Sequence, residues 1–373
     1  MYYSLYTTKN ILEKMLDGQT FPEWYNVLST SNIKNVFMSG DFTPTASTPM
    51  GYDNPLSALQ SYMEVKPRSD FNDLLKNGHY IEFESKFQEE NAKERACVIC
   101  VLDDSFSNEK AKEIEKKSGI FCQLSSNKDD NRLFKNQFYV LEKDQTGCDW
   151  RNFLAEASLL PTRNVILCDR YLFKKVKDDN SKLFSLGEKN IENLVDILNE
   201  LHNDINISIL IDPKAIESAA HTPDYANKVL HGTMEKLRTF IKNNALHKQK
   251  KINADIIKLK KDGPCYDKTH DRVIIGEYFT IEVSHTFDAF RDGRSMETQT
   301  LHYSALFGFL NKNESEVIKH KKILLDDYRN VVENNGIECC HFDCADCCKT
   351  ECSSGDTGYA ISLPTDCLLL KMC

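Results

Sequence analysis

The sequence predicts an α/β protein: a sheet with crossover helices, preceded by a mixed α/β region and followed by a cysteine-rich tail. Three observations predict it. From Pro161 onward, short apolar runs alternate with amphipathic stretches of helical period. Strands separated by helices of that length need crossover connections, hence a largely parallel sheet. Eight of the fourteen cysteines lie beyond residue 338, six of them within "CCHFDCADCCKTEC".

The elements follow in order. Over residues 1–155, "NVFMSGDF", "ERACVICVLDD" and "NQFYVLEKD" read as strands. "SNEKAKEIEKKSG" reads as a short helix with a Ser cap and a Gly stop. "FTPTASTPMGYDNP" is a loop by its turn chemistry. Beyond Pro161, "RNVILCD" is a buried strand, and Ile191, Leu194, Val195, Leu198 and Leu201 trace one helix face. "INISILID" is the next strand, and Ala226, Val229, Leu230, Leu237 and Ile241 mark a second amphipathic helix. "ADIIKLK", the hairpin-like "VIIGEYFTIEV" and "TQTLHYSALFGFL" supply further strands. Val317, Ile318, Leu324, Leu325, Tyr328 and Val332 predict a helix over 313–336 that Gly336 can end.

Composition excludes some classes. With 373 residues, 41% hydrophobic and 28% charged, the chain is an ordinary globular mix able to bury a sizeable core. A net charge of -9 argues against binding nucleic acid or anionic membrane through bulk charge, though not through a local patch. The opening "MYYSLYTTKNILEKML" lacks a basic start followed by a long apolar run. No stretch approaches the roughly 18 apolar residues of a membrane span. A cytoplasmic location, where thiols stay reduced, is the expectation.

The chemistry concentrates in "KTHDRVIIGEYFTIEVSH", residues 268–285. In a strand, His270 and Arg272 share one face. An imidazole can act as nucleophile or proton carrier, and a guanidinium neutralises phosphoryl oxygens through fixed donors. Glu277 suits the task of orienting a histidine. A structural histidine beside an Arg272–Glu277 salt bridge would use the same letters.

This stretch resembles the phospholipase D superfamily, whose motif is His-x-Lys, four residues, Asp, six residues, then Gly-Ser. The chain reads His270-Asp271-Arg272, "VIIG", Glu277, "YFTIEV", Ser284-His285. The spacing is kept, while Arg replaces Lys, Glu replaces Asp, and Ser-His replaces Gly-Ser. "HDRVIIGEYFTIEVSHTFDAF" is more closely similar to the phospholipase-D-like C-terminal domain of MIT-domain proteins and its bacterial relatives. The resemblance covers Asn164 to Phe307. It implies a phospholipase D-like sheet over 161–310 and a phosphodiesterase or nuclease acting on nucleic acid or another phosphodiester, with a degenerate catalytic set of His270, Arg272 and Glu277. No cofactor is implied. The superfamily needs two motifs and this chain has one, so an active form is expected as a homodimer. The eukaryotic look-alike, which is expected to bind phosphoinositide membranes, implies the alternative: an inactive module binding anionic lipid or nucleic acid through a basic patch.

Between residues 236 and 261 lie nine Lys or Arg against one acid, Asp255. Lys248, Lys250, Lys251, Lys258, Lys260 and Lys261 form a basic patch leading toward His270, suited to nucleic acid or anionic phospholipid. His302 is a second imidazole near the sheet. Glu84-Ser85-Lys86 carries the acid-x-lysine ending of a metal-dependent nuclease pattern, with Asp70 and Asp73 upstream. In the tail (337–373), Cys340, Cys344, Cys347 and Cys352 have spacings that suit zinc, although they are crowded for a standard module. A thiol-rich tail without metal is the alternative.

Overall fold

The computed structural model of the chain describes residues 2–17, 19–29, 32–39, 64–90, 96–127, 130–169, 175–177, 183–185, 193–194, 197, 204–211, 251–258, 272–285, 287, 289–291, 293–308, 310–311, 314–323 and 339–343. The chain divides into two compact units. The first is Met1–Lys135 with Ala305–Lys322; the second is Asn136–Ser304 with a C-terminal segment that includes residues 339–343. The division thus falls at residue 135 rather than near 155, because "NQFYVL" pairs in the second sheet.

In the first unit, strand β1 (Tyr2–Thr8) leads into helices α1 (Lys9–Leu16) and α2 (Pro22–Leu28), and then into β2 (Ile33–Ser39). Strand β3 (Glu64–Pro67), helices α3 (Asp70–Lys76) and α4 (Tyr80–Glu90), β4 (Ala96–Leu102), α5 (Asn108–Ser118) and β5 (Phe121–Leu124) follow. All five strands are parallel, in the order β3-β2-β1-β4-β5. A central parallel strand is buried on both faces, and Tyr3 through Thr8 of β1 are all buried. Tyr6, Phe37, Phe71, Phe83 and Phe87 form a ring cluster on one face, with Tyr6–Phe71 centroids 5.4 Å apart and Phe37–Phe87 4.7 Å apart. The predicted caps of α5 are present: the Ser107 hydroxyl accepts from Lys110 N at 3.1 Å, and Gly119 turns left-handed at φ +67°.

The second unit contributes β6 (Asn136–Leu141), α6 (Trp150–Ala157) and β7 (Asn164–Cys168). A small hairpin, β8 (Lys175–Lys177) with β9 (Leu183–Ser185), follows, then β10 (Asp204–Ile211) and β11 (Lys251–Lys258). Next come β12 (Arg272–Ile275), β13 (Phe279–Val283), the pair β14 (Phe290–Arg291) and β15 (Arg294–Ser295), and β16 (Gln299–Ala305). The pair β17 (Leu310–Asn311) and β18 (Glu314–Ser315) belongs to the first unit. The chain ends its described part at β19 (Cys339–Asp343).

The eight-stranded sheet runs β19-β11-β10-β7-β12-β13-β16-β6. It is mixed, which corrects the expectation of a largely parallel sheet. β7, β10 and β11 are parallel, whereas the pairs β7–β12, β12–β13, β16–β6 and β11–β19 are antiparallel. The short turn of "VIIGEYFTIEV" allows only a hairpin reversal. The wholly parallel sheet lies instead in the N-terminal region. Of the predicted helices, 193–194 and 197 belong to the first, the helix at 316–323 is the described part of 313–336, and 226–241 lies outside the described residues. No described helix is long and apolar enough to cross a membrane.

Candidate functional site

The β12–β13 hairpin positions the motif. Arg272 opposes Val283, Ile275 opposes Thr280, and the turn is Gly276-Glu277-Tyr278. Gly276 is required there, since a Cβ would lie 2.5 Å from the buried ring of Phe279. Because β12 runs antiparallel to β7, Val273 pairs with Cys168 and Ile275 with Ile166. Arg272 therefore sits at the carboxyl end of β7, and Glu277 beyond its amino end, with about 13 Å of strand between them.

Each is held differently. Arg272 Nη1 donates to Ser284 O at 2.7 Å, and Nε lies 4.0 Å from Oδ1 of the fully buried Asp169. Glu277 is also buried, but within a structural network: Oε2 accepts from Arg163 N at 2.8 Å and Oε1 from Asn164 Nδ2 at 2.9 Å. The Thr162 hydroxyl accepts from Glu277 N at 3.1 Å and lies 3.3 Å from Oε2. The turn is thereby tied to the start of β7. Arg272 and Glu277 do not pair with each other, and among the described residues the acid beside Arg272 is Asp169.

The hairpin also returns Ser284 and His285 to Arg272. Ser284 N donates to Thr300 O at 3.0 Å, and its hydroxyl accepts from Thr300 N at 2.9 Å, which fixes the turn on β16. His285 is exposed. Beyond it, Phe287 N donates to Asp169 Oδ2 at 3.2 Å, while Phe287 O accepts from Asn193 Nδ2 at 2.7 Å and Trp150 Nε1 at 3.2 Å. The aromatic letters of "TFDAF" are core: Phe287 and Phe290 pack on Trp150 at 5.9 and 5.3 Å. Sequence reading named Asp169 only as the close of a strand, and passed over Asn193 and Trp150. An acid directly after an apolar run was the one available signal.

His270 lies outside the described residues. So do Lys248, Lys250, Lys260 and Lys261 of the basic patch. Lys251 opens β11 and Lys258 closes it, about 23 Å apart along the strand. Lys251 and Lys258 thus stand at opposite sheet edges, and Lys258 lies on the edge that holds Asp169 and Arg272. His302, on β16, stacks on Phe138 with centroids 3.7 Å apart and meets Asn136 Oδ1 at 2.6 Å.

Glu84-Ser85-Lys86 lies on helix α4, where residues two apart face away from each other. Lys86 pairs with Glu82 at 3.1 Å and Asp70 at 3.4 Å, so the triplet is not a nuclease strand. In the tail, Cys340 falls on edge strand β19, opposite Ile256. Cys344, Cys347 and Cys352 lie outside the described residues. Among the described residues, no group of three or more His, Cys, Asp or Glu is placed to hold a metal.

No protein-family model matches the chain, and no curated protein matches it either.

Proposed function

We propose that the second unit binds the phosphodiester groups of a polyanion, nucleic acid or anionic phospholipid, along the carboxyl edge of β7, β10 and β11. One observation supports this most: Arg272 opens β12 and Lys258 closes β11 on that same edge. Three strand spacings separate the two positions, about 14 Å. Lys260 and Lys261 follow Lys258 in sequence. A guanidinium held by Ser284 O and Asp169 is a preorganised donor, and the lysines add the local charge that bulk composition lacks.

A second reading adds hydrolysis, and the return of exposed His285 to Arg272 favours it. His270, two residues before Arg272, would be the nucleophile or proton carrier and Arg272 the phosphate ligand. The active form would be a homodimer that joins two motifs.

The test is a titration of single-stranded DNA and of phosphatidylinositol-phosphate vesicles at stepped salt. Steep salt dependence and a tenfold or greater loss in Arg272→Gln are expected. Failure of both probes to bind at low salt would end the proposal. Turnover of bis(p-nitrophenyl) phosphate that vanishes in His270→Ala supports the hydrolytic reading, and an inert wild-type protein removes that reading alone.

A further inference from the structure

The first unit has a second edge with the layout of a ligand site. Its strand order β3-β2-β1-β4-β5 reverses direction between β1 and β4. In open parallel sheets, ligands bind in the crevice outside the carboxyl ends of the strands at such a reversal. At this one, the eight-residue helix α1 starts directly after β1, with no acidic residue in its first turn. Its first amides have no partner along the helix and form a partial positive charge.

A separate observation points to a missing partner. Thr8 is the N-cap of α1, the position from which a hydroxyl normally accepts from the second or third amide, yet it makes no such bond. Its Oγ1 is buried without a hydrogen-bond partner among the described residues, in a residue only 9% exposed. Buried hydroxyls are ordinarily satisfied, so the Thr8 hydroxyl at the head of α1 calls for a water, ion or ligand.

Across the reversal stands Asp103, directly after β4. The register Tyr6↔Cys100 continues to put Thr8 level with Leu102, so Thr8 and Asp103 have backbones about 6 Å apart. Asp103 Oδ1 accepts from Ser105 N at 2.9 Å, leaving Oδ2 without a partner among the described residues. By contrast, Asp70 on the same edge is neutralised by Arg68 at 2.9 Å and Lys86 at 3.4 Å.

We infer that this crevice binds a small phosphate monoester bearing hydroxyl groups, of the mononucleotide class. The phosphate sits on the α1 amides and the Thr8 hydroxyl, and a ligand hydroxyl donates to Asp103. The strand-to-helix turn "TTK" lacks the glycines that let a backbone approach a pyrophosphate, so a dinucleotide is not the ligand.

The experiment is calorimetry and thermal shift on the full chain with AMP, adenosine and inorganic phosphate. AMP is expected to bind and raise Tm, with adenosine at least tenfold weaker. Thr8→Val removes an unpartnered hydroxyl, so its ligand-free Tm stays level or rises while AMP affinity falls at least tenfold. Asp103→Asn weakens AMP but not inorganic phosphate. Arg272→Ala leaves AMP binding intact, which separates this site from the proposed polyanion edge of the second unit. No binding of AMP at millimolar concentration, equal binding of adenosine, or unchanged affinity in Thr8→Val would each overturn the inference.

Discussion

Arg272 and Glu277, five residues apart in sequence, occupy opposite ends of strand β12: the guanidinium meets Ser284 O at 2.7 Å, and the carboxylate meets Arg163 N at 2.8 Å. One motif therefore serves two purposes. Its first half lies on an edge with a basic neighbour, and its second half locks a turn. Glu277→Ala would strand Arg163 N and the Asn164 amide in a buried place, at a cost of about 3 kcal/mol. Chemical denaturation should show that loss with the m-value unchanged.

Gly276→Ala tests the same turn from the packing side. The added Cβ meets the Phe279 ring at 2.5 Å, and that ring is buried and stacked on Tyr303 with centroids 5.7 Å apart. Overpacking of this kind costs about 1–3 kcal/mol. A lowered thermal midpoint is expected, measured by calorimetry, with the strand content preserved.

Glu115 and Arg132 give a pH-dependent prediction. Arg132 Nη2 lies 2.9 Å from Glu115 Oε1, and Asp130 takes the other side of the guanidinium at 2.9 Å. Burial pushes the Glu115 carboxyl above its ordinary value, while the Arg132 guanidinium opposes that rise. A raised acid binds protons more readily folded than unfolded, so its contribution falls as pH rises from 4.5 through the folded value. Arg132→Ala removes the opposing pull and leaves a buried charge, costing about 3–5 kcal/mol near neutral pH. The deficit should shrink as pH is lowered toward about 4.5 in denaturant titrations.

Asp70 behaves in the opposite sense. Hydrogen bonds from Arg68 hold its carboxyl below the ordinary value of 3.8. Its contribution is therefore present above that value and is lost as pH falls through the lower folded one. The pair is partly exposed, so solvent screening limits it to about 1 kcal/mol or less. Asp70→Asn should lower stability slightly at neutral pH and leave it unchanged at strongly acidic pH.

Some of this was legible in the sequence because the signals were local. Ser107 and Gly119 bracket α5, the apolar run with Gly276 marks the hairpin, and "RNVILCD" is a strand by composition. β1 was not legible. "YYSLYTT" has no Val or Ile and no alternation, because a central parallel strand buries both faces and offers no period to read. The roles of Asp169 and Glu277 depend on partners more than a hundred residues away, Phe287 and Thr162–Asn164. Spacing alone could place Arg272 and Glu277 in one motif. Only the strand pairing separates them.

The most direct test of the proposed polyanion edge compares Arg272→Gln with Glu277→Gln in one salt-stepped binding titration against a fluorescent single-stranded DNA and phosphatidylinositol-phosphate vesicles. Circular dichroism would be run alongside to verify folding. The account predicts that Arg272→Gln weakens binding at least tenfold and flattens the salt dependence, whereas Glu277→Gln lowers stability and leaves the affinity of the folded protein unchanged. Equal loss of affinity in the two folded variants, or full affinity in Arg272→Gln, would contradict it.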